Sequence, residues 1–453
     1  MRPERPVLLV ALGTALVLVT YVTPMSTVPA TAADLGSGSG ARAWILSSMS
    51  VGLAAGLLAS GALGDARGRR RVYVGGLAVM GLGALLCALA PVSAVFVGAR
   101  VVEGLGGAAV LSCGLAILAH TFTDPVERGR ATGVWGASVG LGITVGALLA
   151  AGLDVGTGWR EGYALTAVLV LALVVPSARG LGESRAAHPR RLDVAGTIAL
   201  AGGLTLLVAG LTGIRAGLSP LVVALLALAV ASLVAFVVVE RRVAEPMVEL
   251  RLLAEPGFLA ATVGALGVGL GIIAMTSNVP LVVQLGLGEG VWTATWLILV
   301  WSATSVGTSL LVRRVALPLS GSATLGVALV VVGAGQLLGL GLTTGSSAWR
   351  LVPALAVAGL ATGVLNAGLG REAVAHVPPD RAAMGSGTNN TARYLGAACG
   401  ITLFSVLVQH AGPGAGAAAV VDGWQVAVVV AAALSWAAAV VVLVAARRGA
   451  RTH

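Results

Sequence analysis

The sequence predicts an all-α integral membrane protein with about fourteen spanning helices, and three observations support this fold class. Of the 453 residues, 57% are hydrophobic and only 10% are charged, whereas soluble domains carry charge on about a quarter of their residues. The apolar residues form runs long enough to cross a bilayer, which takes about 20 residues. The arginines lie between these runs and favour alternate connections.

The apolar runs give the positions of the expected helices. The first run resembles the core of a cleaved signal peptide, but it is longer than a typical one and many further runs follow it, so we expect it to stay as a helix. The predicted spans lie near residues 7–29, 44–64, 71–90, 94–119, 129–153, 162–178, 193–214, 219–239, 257–284, 291–312, 317–342, 349–370, 383–410 and 424–446.

The arginines predict the orientation, because loops on the cytoplasmic side of a membrane are enriched in Lys and Arg. Alternate connections hold nearly all of the arginines. Only Arg42, Arg160, Arg215 and Arg350 fall on the opposite side, while Arg100 and Arg393 lie inside predicted spans. We therefore expect a multi-pass membrane protein with both termini in the cytoplasm.

Two connections rich in arginine divide the spans into groups of six, two and six. They lie at residues 177–191 and 240–251, and neither is long enough for a soluble domain. The predicted domains are therefore an N-terminal six-helix bundle (1–178), a central region with two extra helices (179–251) and a C-terminal six-helix bundle (252–453).

Several other functions are disfavoured. The net charge of +10 comes from short arginine clusters rather than from one continuous basic surface, so nucleic acid is not an expected partner. The three cysteines lie in apolar segments without metal-ligand spacing. No phosphate loop or nucleophile motif appears. We expect no enzymatic activity, no metal and no cofactor.

One charged segment, GALGDARGRRR (61–71), stands between the second and third spans. Glycine permits close helix contact and tight turns, and the aspartate can pair with an arginine or a helix N-terminus. The segment resembles the signature loop of the major facilitator superfamily. The resemblance implies a cytoplasmic gate formed by Gly61, Asp65, Gly68, Arg69 and Arg70. The alternative is a loop that only sets topology.

Five further segments extend the resemblance over most of the chain, and together they are similar to the fourteen-span drug:proton antiporter group. The resemblance implies two six-helix bundles related by a pseudo-twofold axis, with two extra helices between them and a substrate site near the membrane midplane. The segments are ARVVEGLGGAA (99–109), ERGRATGVWGASVGLG (127–142), RRLDVAGTIAL (190–200), EPMVELRLL (245–253) and GSGTNNTARYLGAACGI (385–401).

The implied function is proton-coupled efflux of hydrophobic drugs or natural products across the inner (plasma) membrane of a bacterial cell by alternating access. The expected partners are a small hydrophobic or cationic substrate, protons and the lipid bilayer, and the protein is expected to be a monomer. A proton symporter or uniporter for a small organic solute is the alternative within transport. A non-transporting membrane sensor or assembly protein is a more remote alternative.

Two departures from the antiporter pattern keep symport or uniport open. Members of the group carry an acidic residue in the first span, where this chain has Thr20. The end of the fifth span should read Gly-Pro-x-x-Gly-Gly, but residues 146–151 read GALLAA. That second motif is associated with exchange in the family.

Ionisable residues inside a membrane are costly, so their default interpretation is functional. Arg100 and Glu103 are three residues apart on the fourth span and therefore share a helix face. We interpret Glu103 as the proton carrier and Arg100 as its partner. The alternative is a purely structural ion pair. Asp34 and Asp154, at the outer ends of their spans, are the next candidates.

Bulky or polar residues within the spans are candidates for the substrate cavity, since aromatic and methionine side chains accept varied apolar ligands. Each of them could equally be a helix-packing residue. The candidates are Tyr21, Met25, Trp135, Met275, Asn278, Trp296, Trp301, Asn366, Asn390 and Arg393. Tryptophans at the predicted outer ends of spans are interpreted as interfacial anchors; these are Trp44, Trp159, Trp292, Trp349 and Trp424.

Overall fold

The computed structural model confirms the all-α architecture. In the residues it describes, there are fourteen long helices and no strand; thirteen are long and apolar enough to cross a membrane, and Gly321–Leu337 is a shorter apolar helix. The described residues are 4–122, 124–153, 158–185, 193–214, 218–243, 246, 249–312, 321–377, 382–409 and 416–452.

Each helix corresponds to one of the predicted spans. The helices are α1 (Glu4–Asp34), α2 (Ser39–Arg67), α3 (Arg69–Ala88), α4 (Ser93–Thr121), α5 (Pro125–Gly152), α6 (Trp159–Gly180), α7 (Val194–Gly213), α8 (Pro220–Arg242), α9 (Pro256–Gly286), α10 (Val291–Val312), α11 (Gly321–Leu337), α12 (Val352–Ala375), α13 (Ala382–Val408) and α14 (Ala417–Thr452).

The junction between α2 and α3 is a single residue. Helix α2 runs to Arg67 and α3 begins at Arg69, so most of the charged segment that resembles a loop is helical. Gly68 between them has φ = +115°, a conformation that glycine adopts far more readily than other residues. The predicted turn at Gly68 is confirmed.

Glycines on α4 bring its backbone close to two neighbouring helices. A Cβ atom on Gly104 would meet the Met49 carbonyl oxygen and would lie 3.0 Å from the Gly52 Cα on α2. A Cβ on Gly106 would lie 2.7 Å from the Gly76 carbonyl oxygen on α3. Small residues allow this close packing between membrane helices, where no hydrophobic driving force exists. The pattern EGLGG therefore places α4 in direct backbone contact with α2 and α3.

Helix α9 is distorted by two π-helical segments, Val268–Ile273 and Val282–Gly286. Gly269, in the first of these, packs directly against the backbone of Arg393 and Ala397 on α13. Short π segments inside helices often occur at functional positions. The stretch between the two segments contains the buried Thr276, Ser277 and Asn278.

The chain divides into two compact units. Unit 1 comprises Met1–Gly36, Ser48–Ala201 and Val234–Met247, and in it α3 packs against α4 and α6, and α1 against α5. Unit 2 comprises Ser37–Ser47, Gly202–Leu233 and Val248–His453, and in it α10 packs against α12, and α11 against α14 and α12. The division into a bundle, a central region and a second bundle stays a prediction.

Candidate functional site

The Arg100–Glu103 pair lies in the interior of unit 1. The two side chains are one turn apart on α4, and Nη1 of Arg100 donates to Oε2 of Glu103 over 2.5 Å. Both side chains are 0% exposed. Removing two charges from water costs several kcal/mol per ion, which their attraction repays only with good geometry and further hydrogen bonds.

The surroundings satisfy only part of this pair. Arg100 Nη1 also donates to the Thr20 carbonyl oxygen on α1 over 2.9 Å. Nε and Nη2 of Arg100, Oε1 of Glu103 and the hydroxyl of Tyr163 are buried without a hydrogen-bond partner among the described residues. Buried polar atoms are nearly always paired in folded proteins, so a group of unpaired ones needs an explanation.

An aromatic cluster packs beside the pair. The guanidinium carbon of Arg100 lies 5.7 Å from the ring centre of Tyr163, within the range of a cation–π contact. Tyr163 meets Phe96 edge-to-face at 5.3 Å, and Phe96 meets Trp159 at 5.5 Å. Tyr163 was not among the residues predicted from the sequence. A single tyrosine near the start of an apolar helix gives no sign that it contacts a residue on another helix.

Residue 20, where the expected first-span acid is missing, also contacts the Arg100–Glu103 pair. The family resemblance leads one to expect an acidic residue there, and the chain has Thr20, whose hydroxyl donates to the Val17 carbonyl oxygen. Arg100 reaches the backbone of this same residue. The carboxylate partner of Arg100 is therefore supplied from its own helix by Glu103 rather than from α1.

A second charged group surrounds the α2–α3 junction, and we call it the junction cluster: Asp65, Arg69, Arg70, Arg71 and Glu183. Asp65, near the end of α2, pairs with Arg69, the first residue of α3, at 2.8 Å. Glu183 lies 3.6 Å from both Arg70 and Arg71 and accepts a hydrogen bond from the Arg70 backbone N–H over 3.0 Å. The structure therefore brings the predicted gate residues Asp65, Arg69 and Arg70 together.

Glu183 was not predicted from the sequence, although it helps to tie the junction to the segment after α6. The Arg69 N–H donates to the Ser184 carbonyl oxygen over 2.9 Å in the same place. A Cβ on Gly68 would lie 2.7 Å from Oε1 of Glu183. An isolated carboxylate in an arginine-rich connection was the available signal, but its partner is more than a hundred residues away in the chain.

The close helix contact expected at Gly61 is wrong. A Cβ on Gly61 would meet no heavy atom within 4 Å, whereas one on Gly64 would lie 2.7 Å from Sγ of Cys113 on α4. Gly52 and Gly56 also face α4, since a Cβ on Gly52 would lie 3.0 Å from the Gly104 Cα and one on Gly56 would lie 2.9 Å from the Ala108 Cβ. These glycines follow helical spacing along one side of α2, and Gly61 lies outside that row.

The cavity candidates are distributed over both units. Tyr21, Met25 and Trp135 belong to unit 1 and the others to unit 2. Tyr21, Met25, Met275 and Asn278 are buried; Trp135, Trp301, Asn390 and Arg393 are partly buried; Trp296 and Asn366 are exposed. Their place in one common cavity stays a prediction.

Several polar groups among these candidates have partners inside their own unit. The Tyr21 hydroxyl lies 3.0 Å from Oγ of Ser50. Asn278 accepts from the Ser405 hydroxyl over 3.0 Å and donates to the Ala274 carbonyl oxygen over 2.9 Å. The contacts with Ser50 and Ser405 hold neighbouring helices together, which is the packing role considered for these candidates from the sequence.

Two of the predicted interfacial tryptophans are in fact buried. Trp159 and Trp424 are 0% exposed. Trp159 contacts the aromatic cluster and donates to Asp34 over 3.2 Å, and Trp424 donates to the Gly339 carbonyl oxygen over 2.9 Å. The prediction failed because proximity to a helix end does not show which side of the helix faces lipid. Trp292 and Trp349 are about half exposed, at 50% and 51%.

Asp34 and Asp154 are the alternative proton carriers. The surroundings of Asp34 suit this role less well than those of Glu103. Asp34 is exposed and pairs with Arg160 at 3.0 Å. Arg160 also stacks on Trp159 and donates to the Ala88 carbonyl oxygen over 2.9 Å. The Asp34–Arg160 pair therefore links the ends of α1, α3 and α6. Asp154 lies outside the described residues.

The thirteen candidate membrane spans among the described residues indicate a multi-pass membrane protein. The fully buried Arg100–Glu103 pair shows that its interior contains charged groups. The model of the Major Facilitator Superfamily matches residues 10–401, so the chain belongs to this superfamily. The predicted family and fold are confirmed. The superfamily consists of transporters, which also confirms that the chain is not an enzyme.

Two curated relatives cover most of the chain. It is 31% identical over 393 residues to the probable actinorhodin transporter of Streptomyces coelicolor, covering 84% of this chain and 68% of that protein. It is 32% identical over 426 residues to the puromycin resistance protein pur8 of Streptomyces alboniger, covering 87% of this chain and 81% of that protein.

A solved structure gives the same fold. The human organic anion transporter MFSD10 (TETRAN) superposes with a TM-score of 0.64 at 18% identity, and the match covers 98% of this chain and 100% of that one. At this identity the likeness supports the fold alone.

Proposed function

We propose that this protein exports small hydrophobic or cationic drugs or natural products across the plasma membrane of a bacterium, by alternating access coupled to protons. The names of the two Streptomyces relatives, an actinorhodin transporter and a puromycin resistance protein, support this class of substrate. One observation carries the coupling: a fully buried carboxylate, Glu103, is paired with Arg100 in the interior of unit 1.

Glu103 is the proton-carrying group in this proposal. Proton binding neutralises the carboxylate and weakens its bond to Arg100, while Arg100 keeps its hydrogen bond to the Thr20 carbonyl oxygen. A proton shifts the balance between two facing states if Glu103 binds it more tightly in one state than in the other. Because Arg100 also contacts α1, a change in its pairing reaches a second helix directly.

The neighbours of the pair support this assignment. Oε1 of Glu103 has no hydrogen-bond partner among the described residues, so a proton can be added there without breaking an existing bond. Gly83 on α3 allows close packing at this point, since a Cβ there would lie 2.9 Å from the Glu103 backbone nitrogen. The backbone of α4 at Glu103 is therefore packed closely against α3.

The junction cluster acts as part of the cytoplasmic gate in this proposal. Its contacts connect the end of α2 and the start of α3 to residues 181–184 after α6. Asp65 and Glu183 are only partly exposed, at 23% and 25% of their side chains. Such contacts can break and reform as the helices move, because water is present to solvate the separated charges.

The arginine distribution supports an orientation with both termini in the cytoplasm. That orientation puts the junction cluster on the cytoplasmic side, as the gate requires. We propose that the protein works as a monomer.

A second candidate, symport or uniport of a small organic solute, is favoured by the altered end of α5. Residues 146–151 lack the proline and the two later glycines of the exchange motif. Part of that packing is retained, since a Cβ on Gly146 would lie 2.8 Å from the Val19 carbonyl oxygen, and Gly142 packs directly on Ala15. The retained contacts between α5 and α1 make export the preferred function.

Transport in inverted membrane vesicles tests the proposal. With an imposed pH gradient, acid inside, we expect the protein to accumulate puromycin or a fluorescent lipophilic cation. Glu103→Gln keeps the shape and hydrogen-bonding capacity of the side chain but cannot bind the proton. We expect this variant to bind substrate and permit downhill movement while losing uphill accumulation.

Asp34→Asn is the matched control, because it removes a carboxylate that also pairs with an arginine but lies at an exposed helix end. It should retain uphill transport. Normal gradient-driven accumulation by Glu103→Gln would exclude Glu103 as the carrier. Movement of substrate together with protons, in the same direction, would favour symport over export.

A further inference from the structure

A groove of about 630 Å³ opens beside the α2–α3 junction, on the surface of unit 1. Its walls come from α2, α3 and α4, and from Arg185 after α6. The volume falls within the range of small-molecule binding sites. The groove is separate from the Arg100–Glu103 pair, since neither residue lines it.

One part of the groove is apolar. Leu63, Val79 and Leu105 line it, and the last two side chains are each 40% exposed. Gly75 and other small residues also line it, which leaves room for a chain-like apolar group. These residues belong to helices that cross the membrane. An apolar occupant of this part would therefore lie along membrane-spanning helices.

The other part of the groove is strongly basic. Arg67, Arg71 and Arg185 line it, all three are exposed, and none of the lining residues is acidic. Arg67 and Arg185 have no ion pair with any described residue, whereas Arg71 lies 3.6 Å from Glu183. At least two positive charges are thus available to an anionic group.

The two parts lie one after the other along α3. Arg71 is at the start of the helix and Val79 is eight residues further along, which corresponds to about 12 Å at 1.5 Å per residue. A ligand that fits both parts has an anionic head at the end of the helices and an apolar tail directed towards their middle. A soluble anion would use only the arginines, and a hydrophobic drug would use only the apolar part.

We propose that this groove binds an anionic phospholipid, with the phosphate at Arg67, Arg71 and Arg185 and an acyl chain along Val79 and Leu105. Basic pockets at the ends of membrane helices bind anionic headgroups. The lipid lies beside the junction cluster and shares Arg71 with it. Its presence therefore draws Arg71 away from Glu183 and changes the contacts at the α2–α3 junction.

Native mass spectrometry of the full-length protein, delipidated in a non-ionic detergent, tests this site. The probes are phosphatidylglycerol and phosphatidylcholine with identical acyl chains. A basic residue near an anionic lipid surface contributes about 1 kcal/mol, so the two arginines without an ion pair predict a preference for phosphatidylglycerol on the order of 30-fold. The triple variant Arg67→Gln, Arg71→Gln, Arg185→Gln should lose that preference.

The matched charge control is Arg179→Gln, Arg447→Gln, Arg448→Gln, which removes three exposed arginines that do not line the groove. It should bind phosphatidylglycerol as the unmodified protein does. A second arm fills the apolar part without changing any charge. Gly75→Leu should weaken binding of phosphatidylglycerol, and Gly98→Leu, another exposed glycine with no neighbouring heavy atom within 4 Å, should not.

Three results would overturn the proposal. Equal binding of the two lipids would show that the arginines do not select the headgroup. Unchanged selectivity in the groove triple variant would place the lipid elsewhere. Displacement of phosphatidylglycerol by excess inorganic phosphate would identify a simple anion site without a role for the acyl chain.

Discussion

The Arg100–Glu103 and Asp65–Arg69 pairs have similar short contacts, 2.5 and 2.8 Å, but opposite surroundings. Both pairs lie in unit 1. Arg100 and Glu103 belong to α4, whereas Asp65 and Arg69 lie on either side of the α2–α3 junction. The first pair is fully buried, whereas the side chains of Arg69 and Asp65 are 17% and 23% exposed. Distance alone therefore does not tell which pair affects stability and which affects a conformational change.

The difference in solvation assigns different energetic roles to the two pairs. Pairs that water can reach contribute about 0–1 kcal/mol, because separated charges are well solvated. A buried pair adds little net stability as a whole, yet losing one partner costs about 3–5 kcal/mol because the other charge stays uncompensated. The stability of the buried pair therefore depends strongly on whether Glu103 is ionised, while the junction pair can exchange partners at low cost.

The largest effect is expected from Glu103→Leu. Arginine stays ionised, so this substitution leaves a buried, uncompensated charge at Arg100 and should lower the free energy of unfolding by about 3–5 kcal/mol. The double variant Arg100→Met, Glu103→Leu removes both charges and should recover most of that loss. Thermal unfolding of the purified protein measures both. If Glu103→Leu is as stable as the unmodified protein, water reaches the pair and the comparison fails.

A smaller effect is expected at the junction from Gly68→Ala. The φ of +115° is unfavourable for alanine, at about 1–3 kcal/mol, and its Cβ would lie 2.7 Å from Oε1 of Glu183. Gly61→Ala is the control, since nothing lies within 4 Å of its added Cβ. That control should be neutral or slightly stabilising, because alanine is the better helix former. Equal losses in the two variants would contradict the assigned role of Gly68.

The smallest effect on stability is expected from Asp65→Asn, within about 1 kcal/mol, because the pair with Arg69 is partly exposed. Transport should nevertheless fall sharply if the junction cluster is part of the gate. Transport rate per inserted protein measures this. Glu127→Gln, which neutralises another exposed carboxylate, should transport normally. Full transport by Asp65→Asn would leave the cluster with a role in topology alone.

The sequence predicted the helices well because each one must satisfy its own backbone hydrogen bonds in lipid. That requirement makes every span a local property of about 20 residues. Arg100 and Glu103 were also found from local information, since three residues on one helix place two side chains on the same face. The turn at Gly68 was equally a local feature.

Contacts between distant segments were not predictable in this way. Glu183 and Tyr163 were missed, Gly61 was assigned a contact that belongs to Gly64, and Trp159 and Trp424 were placed at an interface instead of the interior. Each of these depends on which side of a helix faces a neighbour. In a chain whose helices are apolar on nearly all sides, the hydrophobic pattern does not identify that side.

The sequence by itself therefore determined the number and order of the helices, the family and the presence of a charged pair within α4. Only the tertiary structure decided that this pair is fully buried, that Arg100 meets the backbone of Thr20, and that Glu183 completes the junction cluster. The physical reason is that helix formation in a membrane is a local requirement, whereas burial and pairing depend on packing between helices. That packing depends on close approaches between small residues far apart in the chain, such as Gly52 and Gly104.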